Sequence, residues 1–129
     1  MGRKSLGDFI REARARVQEI DCDALEGWMQ MGDDVLIVDV RDREDFHAGH
    51  LPGAVHVPRG HLEALADPGY GRSHPELARA HERRVVLYCD SGTRSALAGC
   101  TLQDMGFAKV YSLAGGLQVW EAEDKPVER

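Results

Sequence analysis

Two short runs, Val35-Leu36-Ile37-Val38 and Val85-Val86-Leu87-Tyr88, are apolar at every position. A strand wetted on one face alternates apolar with polar residues, so an unbroken run of this length reads as a central strand covered on both faces. The turn-like Gly32-Asp33-Asp34 precedes the first run and Asp39 ends it. Helical patterns separate such runs along the chain. This alternation implies right-handed crossovers and an α/β fold with a mainly parallel sheet and helices on both faces. In such folds ligands bind beyond the carboxyl ends of strands, where Asp39 and Cys89 both fall. The 129 residues suffice for one domain with its own core and no disulfide or metal staples.

The remaining elements follow from local signals. Leu6, Ile10, Ala13 and Val17 recur at helical spacing among Arg11, Glu12, Arg14 and Arg16, predicting an amphipathic helix docked on the domain. Residues 1–16 are therefore expected to form a helical extension and 17–129 the domain proper. Val17 to Ile20 suits a short strand, and Asp21 can cap a helix running to about Gln30. Arg41 to Ala48 is helical in character, Gly49 to Gly53 breaks it, and a third strand is expected over Ala54 to Val57 before Pro58. Two helices are expected between Gly60 and Arg84, over His61 to Ala66 and Pro75 to His81. After the fourth strand, Thr93 to Met105 reads as a helix ended by Gly106, and Lys109 to Tyr111 as a fifth strand. Gly115-Gly116 then turns into a last helix bearing Leu117, Val119 and Trp120. Trp28 and Trp120 are expected to anchor the core.

Cys89 sits where the fourth strand turns into the following helix, at the head of Cys89-Asp90-Ser91-Gly92-Thr93-Arg94-Ser95. The first amides of a helix lack internal partners and carry the positive end of its dipole. A glycine-containing turn can aim further N–H groups at the same point, so a negative sulfur there, thiolate or persulfide, is stabilised. A buried structural cysteine at a strand end is the plainer alternative.

Composition narrows the function. A net charge of −6 is unsuited to the basic face that nucleic-acid binding needs, and it repels anionic substrates at long range. No apolar stretch is long enough to span a bilayer, and the opening residues lack the apolar core of a secretory signal. Neither a membrane nor a nucleic-acid partner is expected. Cys22, Cys89 and Cys100 form no even framework and no metal-binding pair, so a reducing compartment, the cytoplasm, is expected. Cys100 lies ~10.5 Å along the helix from Thr93, too far to bridge back to Cys89. The histidines show no metal-ligand spacing, and neither metal nor cofactor is expected.

Three motifs together resemble the single-domain rhodanese family of sulfurtransferases over about Glu19 to Val127. They are Asp39-Val40-Arg41 with Asp45-Phe46 and Gly49-His50-Leu51-Pro52-Gly53-Ala54, the loop Cys89-x-x-Gly92-x-Arg94-Ser95, and Leu113-x-Gly115-Gly116 with Trp120. The resemblance implies a rhodanese-like fold with a five-stranded sheet and Cys89 as the sulfur carrier. A donor such as thiosulfate, a small persulfide or a protein persulfide would load Cys89, and cyanide or a thiol, free or on a protein, would unload it. Asp90, Ser91, Gly92, Thr93, Arg94 and Ser95 would form the amide ring around the transferred sulfur. Asp39, Arg41 and Glu44 would support it, and His50 would satisfy backbone groups in its turn.

Arg94 either faces the anionic donor or turns back to pair with Asp39 or Glu44, bracing being the expected role. Asp90 departs from relatives that carry basic residues after the cysteine. Its carboxylate is expected to raise the thiol pKa and repel a dianionic donor. Two other functions compete. A phosphatase or arsenate reductase of the same fold separates cysteine and arginine by five residues, whereas four stand here between Cys89 and Arg94. A noncatalytic binding module would have no need of the intact loop.

Overall fold

The computed structural model describes residues 2–129. Five strands, β1 (Gln18–Ile20), β2 (Val35–Asp39), β3 (Val55–His56), β4 (Arg84–Tyr88) and β5 (Lys109–Leu113), form one sheet in the order β1-β5-β4-β2-β3. Every ladder is parallel. The two apolar runs pair at the centre, from Val35 opposite Arg84 to Asp39 opposite Tyr88.

Side-chain alternation divides the core between the two faces. Leu36, Val38, Val85, Leu87 and Cys89 join Ala98 and Leu102 of α5 (Thr93–Asp104) and Leu62 of α4 (Leu62–Ala66) on one face. On the other, Ile37, Val86 and Tyr88 meet Leu25 of α2 (Cys22–Gln30) with Leu117 and Trp120 of α6 (Gly116–Ala122). Both central strands are thus buried on both sides, which is why their sequences lack polar alternation. Asp21 caps α2 by accepting from Ala24 N at 2.7 Å. The helix α3 (Arg43–Ala48) follows β2 and buries none of its residues.

The opening helix α1 (Leu6–Arg16) begins with a reciprocal capping box between Ser5 and Asp8. It packs on α5, but its expected apolar stripe is only partly used. Ala13 is buried, Ile10 is half-buried and Leu6 remains 68% exposed. Val17 lies one residue beyond the helix as its C-cap, and its side chain enters the core against Gly99. Extended backbone begins at Gln18.

The helix expected from Arg41 begins at Arg43, because Arg41 is still part of the strand end and turns in to Asp39, and the one expected from His61 begins at Leu62, after a 3₁₀ turn over Arg59–His61. Further boundaries also differ from expectation. The third strand shrinks to Val55–His56, because this edge strand pairs only with the end of β2. No α-helix forms over Pro75 to His81; a single 3₁₀ turn spans Leu77–Arg79. His74 Nδ1 accepts from Glu76 N and Leu77 N there, and the chain must enter β4 within a few residues. The fifth strand runs two residues past Tyr111 to Leu113, carrying the polar Ser112 into the core. Finally, α5 ends at Asp104, and Met105 is its cap.

Candidate active site around Cys89

Cys89 is the first residue after β4, at the carboxyl edge of the sheet, and is 1% exposed. The chain bends through Asp90 and Ser91 and enters α5 from Gly92, whose φ of 96° is left-handed. Glycine is needed here twice over, since a Cβ would also stand 3.3 Å from both Gly115 N and Leu113 O. The turn brings Gly92 N to 3.2 Å and Ser95 N to 3.4 Å from Sγ. These two amides are the backbone donors directed at the sulfur, fewer than the full ring expected over Asp90 to Ser95. The thiol donates to Ser95 Oγ at 3.6 Å, and that hydroxyl bonds the buried Ser112 Oγ at 2.8 Å.

Gly115 and Gly116 hold the other side of the loop. Leu117 N donates to Cys89 O at 2.9 Å and Gln118 N to Asp90 O at 3.0 Å, so the first turn of α6 caps the carbonyls of the Cys89 turn. This explains why a double glycine opens α6. The chain must turn with positive φ at both residues, 75° and 58°, while passing against the loop backbone.

Asp39 and Arg41 are both buried. Asp39 accepts from Arg41 N at 2.9 Å, from Nε at 3.1 and 3.2 Å, and from Nη2 at 2.8 Å. Arg41 Nη2 also donates to Gly49 O at 2.7 Å, while Nη1 reaches Asp90 Oδ1 at 3.3 Å. Burial works against the guanidinium's charge, but the Asp39 hydrogen bonds and charge hold it firmly protonated. Tyr88, beside them, is pushed well above the usual phenol range by burial and by the Asp39 carboxylate. Its hydroxyl accepts from Leu51 N at 3.1 Å.

Arg94 braces the loop, but through a different partner from those expected. Its Nη2 lies 3.2 Å from Asp90 Oδ2, four residues back in the turn before α5, and it pairs with neither Asp39 nor Glu44. Asp39 is enclosed by Arg41, and Glu44 is exposed on α3 with no ion pair among the described residues. Asp90 therefore stands between two guanidiniums. It is not the free negative charge that its place in the sequence suggested, and the repulsion expected of it is largely matched. Ser91 is exposed and meets Thr93 through their hydroxyls at 3.4 Å.

Ser112, Tyr88 and the amides of α6 were not singled out from sequence. Ser112 had a signal, a small polar residue at an inward position between Tyr111 and Leu113; the α6 amides had none, because backbone donors leave no mark on residue identity. His50 bonds Phe46 O through Nδ1 at 2.9 Å, as a turn histidine. Burial pushes the Cys100 thiol up, and Cys100 faces α1. Among the described residues, no group of three or more His, Cys, Asp or Glu could hold a metal ion. No helix there is long and apolar enough to cross a membrane.

Comparison with known proteins gives this geometry a lineage. The chain is 34% identical to thiosulfate sulfurtransferase GlpE of Pseudoalteromonas translucida, over 75% of this chain and 84% of that one. It is 32% identical to a sulfurtransferase of Allochromatium vinosum, over 86% and 94% respectively. A putative sulfur carrier protein, YrkF of Bacillus subtilis, is 31% identical, and the chain spans 56% of its length. A solved structure from Rhodopseudomonas palustris, described as a protein of unknown function and possible tyrosine phosphatase, superposes with a TM-score of 0.91 at 31% identity. It covers 99% of this chain and 97% of its own. The model of the rhodanese-like domain matches residues 21–123, a span that takes in Asp39, the whole Cys89 turn and the double glycine that packs on it, and the chain belongs to that family.

Proposed function

We propose that the protein is a sulfurtransferase that carries sulfane sulfur on Cys89, from thiosulfate or a persulfide to cyanide or a thiol, small or protein-borne. The observation that supports this most is the pair of amides, Gly92 N and Ser95 N, at hydrogen-bond distance from Sγ. The relatives named as sulfurtransferases support the same reading. With thiosulfate, the Cys89 thiolate attacks the outer sulfur. A Sγ–S bond forms, the donor S–S bond breaks, and its electron pair leaves with sulfite. The persulfide anion inherits the two amides, and Ser95, backed by Ser112, supplies a hydroxyl that can turn its proton toward the sulfur. Cyanide or a thiolate then attacks the outer sulfur, and the Sγ–S electrons return to Cys89. The cycle is ping-pong, with no net redox change at Cys89. Free cysteines fit a reducing compartment, and we assign the reaction to the cytoplasm.

Intact-mass measurement after brief donor treatment tests this. The native protein gains one sulfur atom; Cys89→Ser does not, while Cys22→Ser and Cys100→Ser do. Hydrolysis of an aryl phosphate that disappears in Cys89→Ser, without sulfur uptake, would transfer the assignment to a phosphatase. Arg94 argues against that outcome, since its guanidinium is engaged by Asp90 instead of pointing at an oxyanion over Sγ.

A further inference from the structure

We propose that the cleft between α1 and α5 binds a small amphiphilic anion, an apolar chain or ring ending in one carboxylate. The cleft measures about 580 Å³, a size within the ~300–1,000 Å³ typical of small-molecule sites. Its apolar wall comes from Leu6, Phe9 and Ala13 of α1 and from Leu97 and Cys100 of α5. Leu6 and Phe9 are 68% and 49% exposed, so the part of the α1 stripe that does not reach the core opens into this cleft. Two large apolar side chains left in water are a surface that an apolar ligand gains by covering. Six of the eleven lining residues precede Asp21, where the rhodanese-like match begins. The cleft is therefore built by the opening helix on the family domain and stands apart from Cys89.

Charge decides the polar end of the occupant. Lys4, Arg16 and Arg59 line the cleft with only Glu12 and Asp104 against them, a positive excess in a chain of net charge −6. Both acids are already matched, Glu12 by Lys4 at 2.8 Å and Asp104 by Arg16 at 2.7 Å. The excess therefore falls on Arg59, whose acidic partner, Glu63 at 3.1 Å, does not line the cleft. Arg59 Nη2 donates to Thr101 Oγ1 at 3.0 Å, and the other N–H groups of its fork, beyond the one on Glu63, are unused among the described residues. A carboxylate beside Arg59 and the Thr101 hydroxyl accepts from those groups, while its apolar tail lies along Leu97, Phe9 and Leu6. A second copy of the chain is a poorer occupant. A two-fold contact through this face would set Lys4, Arg16 and Arg59 against their own copies.

The test is titration of the full chain with decanoate, decanol and decylammonium, each below its micellar concentration, followed by calorimetry and by amide chemical shifts. Decanoate should bind one-to-one with a Kd below about 1 mM and move the amides of Leu6, Phe9, Leu97 and Thr101. Decylammonium should bind at least about tenfold more weakly. Leu6→Gln combined with Phe9→Gln, both at exposed positions, should weaken decanoate by about tenfold or more. Arg59→Gln lies outside α1 and so reports on the site even if the first pair of changes unseats that helix; it should bring decanoate down to the affinity of decanol. No saturable binding of decanoate, equal affinity for all three probes, or shifts centred elsewhere would overturn the proposal. So would a dimer in solution that Leu6→Gln dissociates, which makes a second copy the occupant, or binding to anionic phospholipid vesicles without binding to free decanoate, which makes it a membrane surface. Sulfur uptake enters none of these readings, so they stand or fall independently of the role of Cys89.

Discussion

Gly116 lies so close to Asp90 that no side chain fits between them: a Cβ on Gly116 would stand 2.7 Å from both the carbonyl carbon and the carbonyl oxygen of Asp90, and nearer still to Cys89 O. The first turn of α6 is thereby pressed onto the back of the Cys89 loop, and its amides bond the same two carbonyls. The loop is shaped from behind by a helix more than twenty residues away in sequence.

Gly116→Ala should therefore lose both stability and sulfur uptake. The left-handed backbone alone costs about 1–2 kcal/mol, and relieving the clash must move Cys89 or α6. If Cys89 carries the sulfur as proposed, a displacement near 1 Å of its Sγ lowers uptake by ~100-fold. Gly106→Ala is the matched control, since Gly106 also has positive φ but nothing within 4 Å of its Cβ position. Thermal melting should show both variants destabilised, while mass-detected uptake should fail only in Gly116→Ala.

Arg41→Met leaves Asp39 buried with its main partner gone, and should destabilise the protein by about 3–5 kcal/mol in urea unfolding. Arg41→Lys should recover little, because a single ammonium cannot serve Asp39, Gly49 O and Asp90 as the fork does. Pairing Arg41→Met with Asp39→Leu should restore part of the loss. Strict additivity of the two single changes would show that the pair is not coupled.

Removing residues 2–16 should lower stability by about 1–3 kcal/mol, less than an apolar stripe from Leu6 to Val17 would suggest, because Leu6 is exposed and Val17 stays in the chain. The Arg16 to Asp104 pair at 2.7 Å is exposed and contributes little. Sulfur uptake at low temperature should persist. An unchanged melting temperature would show that α1 is not an integral part of the packing.

Burial pushes the Cys22 thiol up to about 11, helped by the nearby Glu123 carboxylate. A thiol whose folded pKa lies above its unfolded value contributes stability in full below about pH 8.5 and loses it as pH rises toward 11. The protein should lose up to about 3 kcal/mol from this group over that window. Tyr88, held protonated by burial and Asp39, acts in the same direction. Urea unfolding at pH 7.5 and 10.5 should show a smaller drop in Cys22→Ala than in the native protein.

The central strands and the Cys89 turn were legible because their signals are local. Unbroken apolar runs mark strands buried on both faces, and a cysteine followed by glycine before a helix marks a turn that aims amides. The double glycine was legible as a turn but not as a packing surface, since the backbone of Asp90 that it touches is invisible in residue identity. The bracing role of Arg94 was legible but its partner was not, for a related reason: sequence shows which charges exist, and only the fold shows that Arg41, two residues from Asp39, reaches that carboxylate first and leaves Asp90 to Arg94. The 3₁₀ turn at Leu77–Arg79 escaped because His74 caps it with a side chain rarely used that way.

Asp39 and Tyr88 are partners across the central ladder although 49 positions separate them in the chain. Closing so long a loop is slow compared with forming helices, and Arg41 can reach Asp90 only after it has closed. Ser112 and the amides of α6 arrive later in the chain still. The surroundings of Cys89 are thus assembled from three separate stretches, residues 39–41, 88–95 and 112–118. On the proposed reading, sulfur uptake by Cys89 is therefore open only to the finished fold.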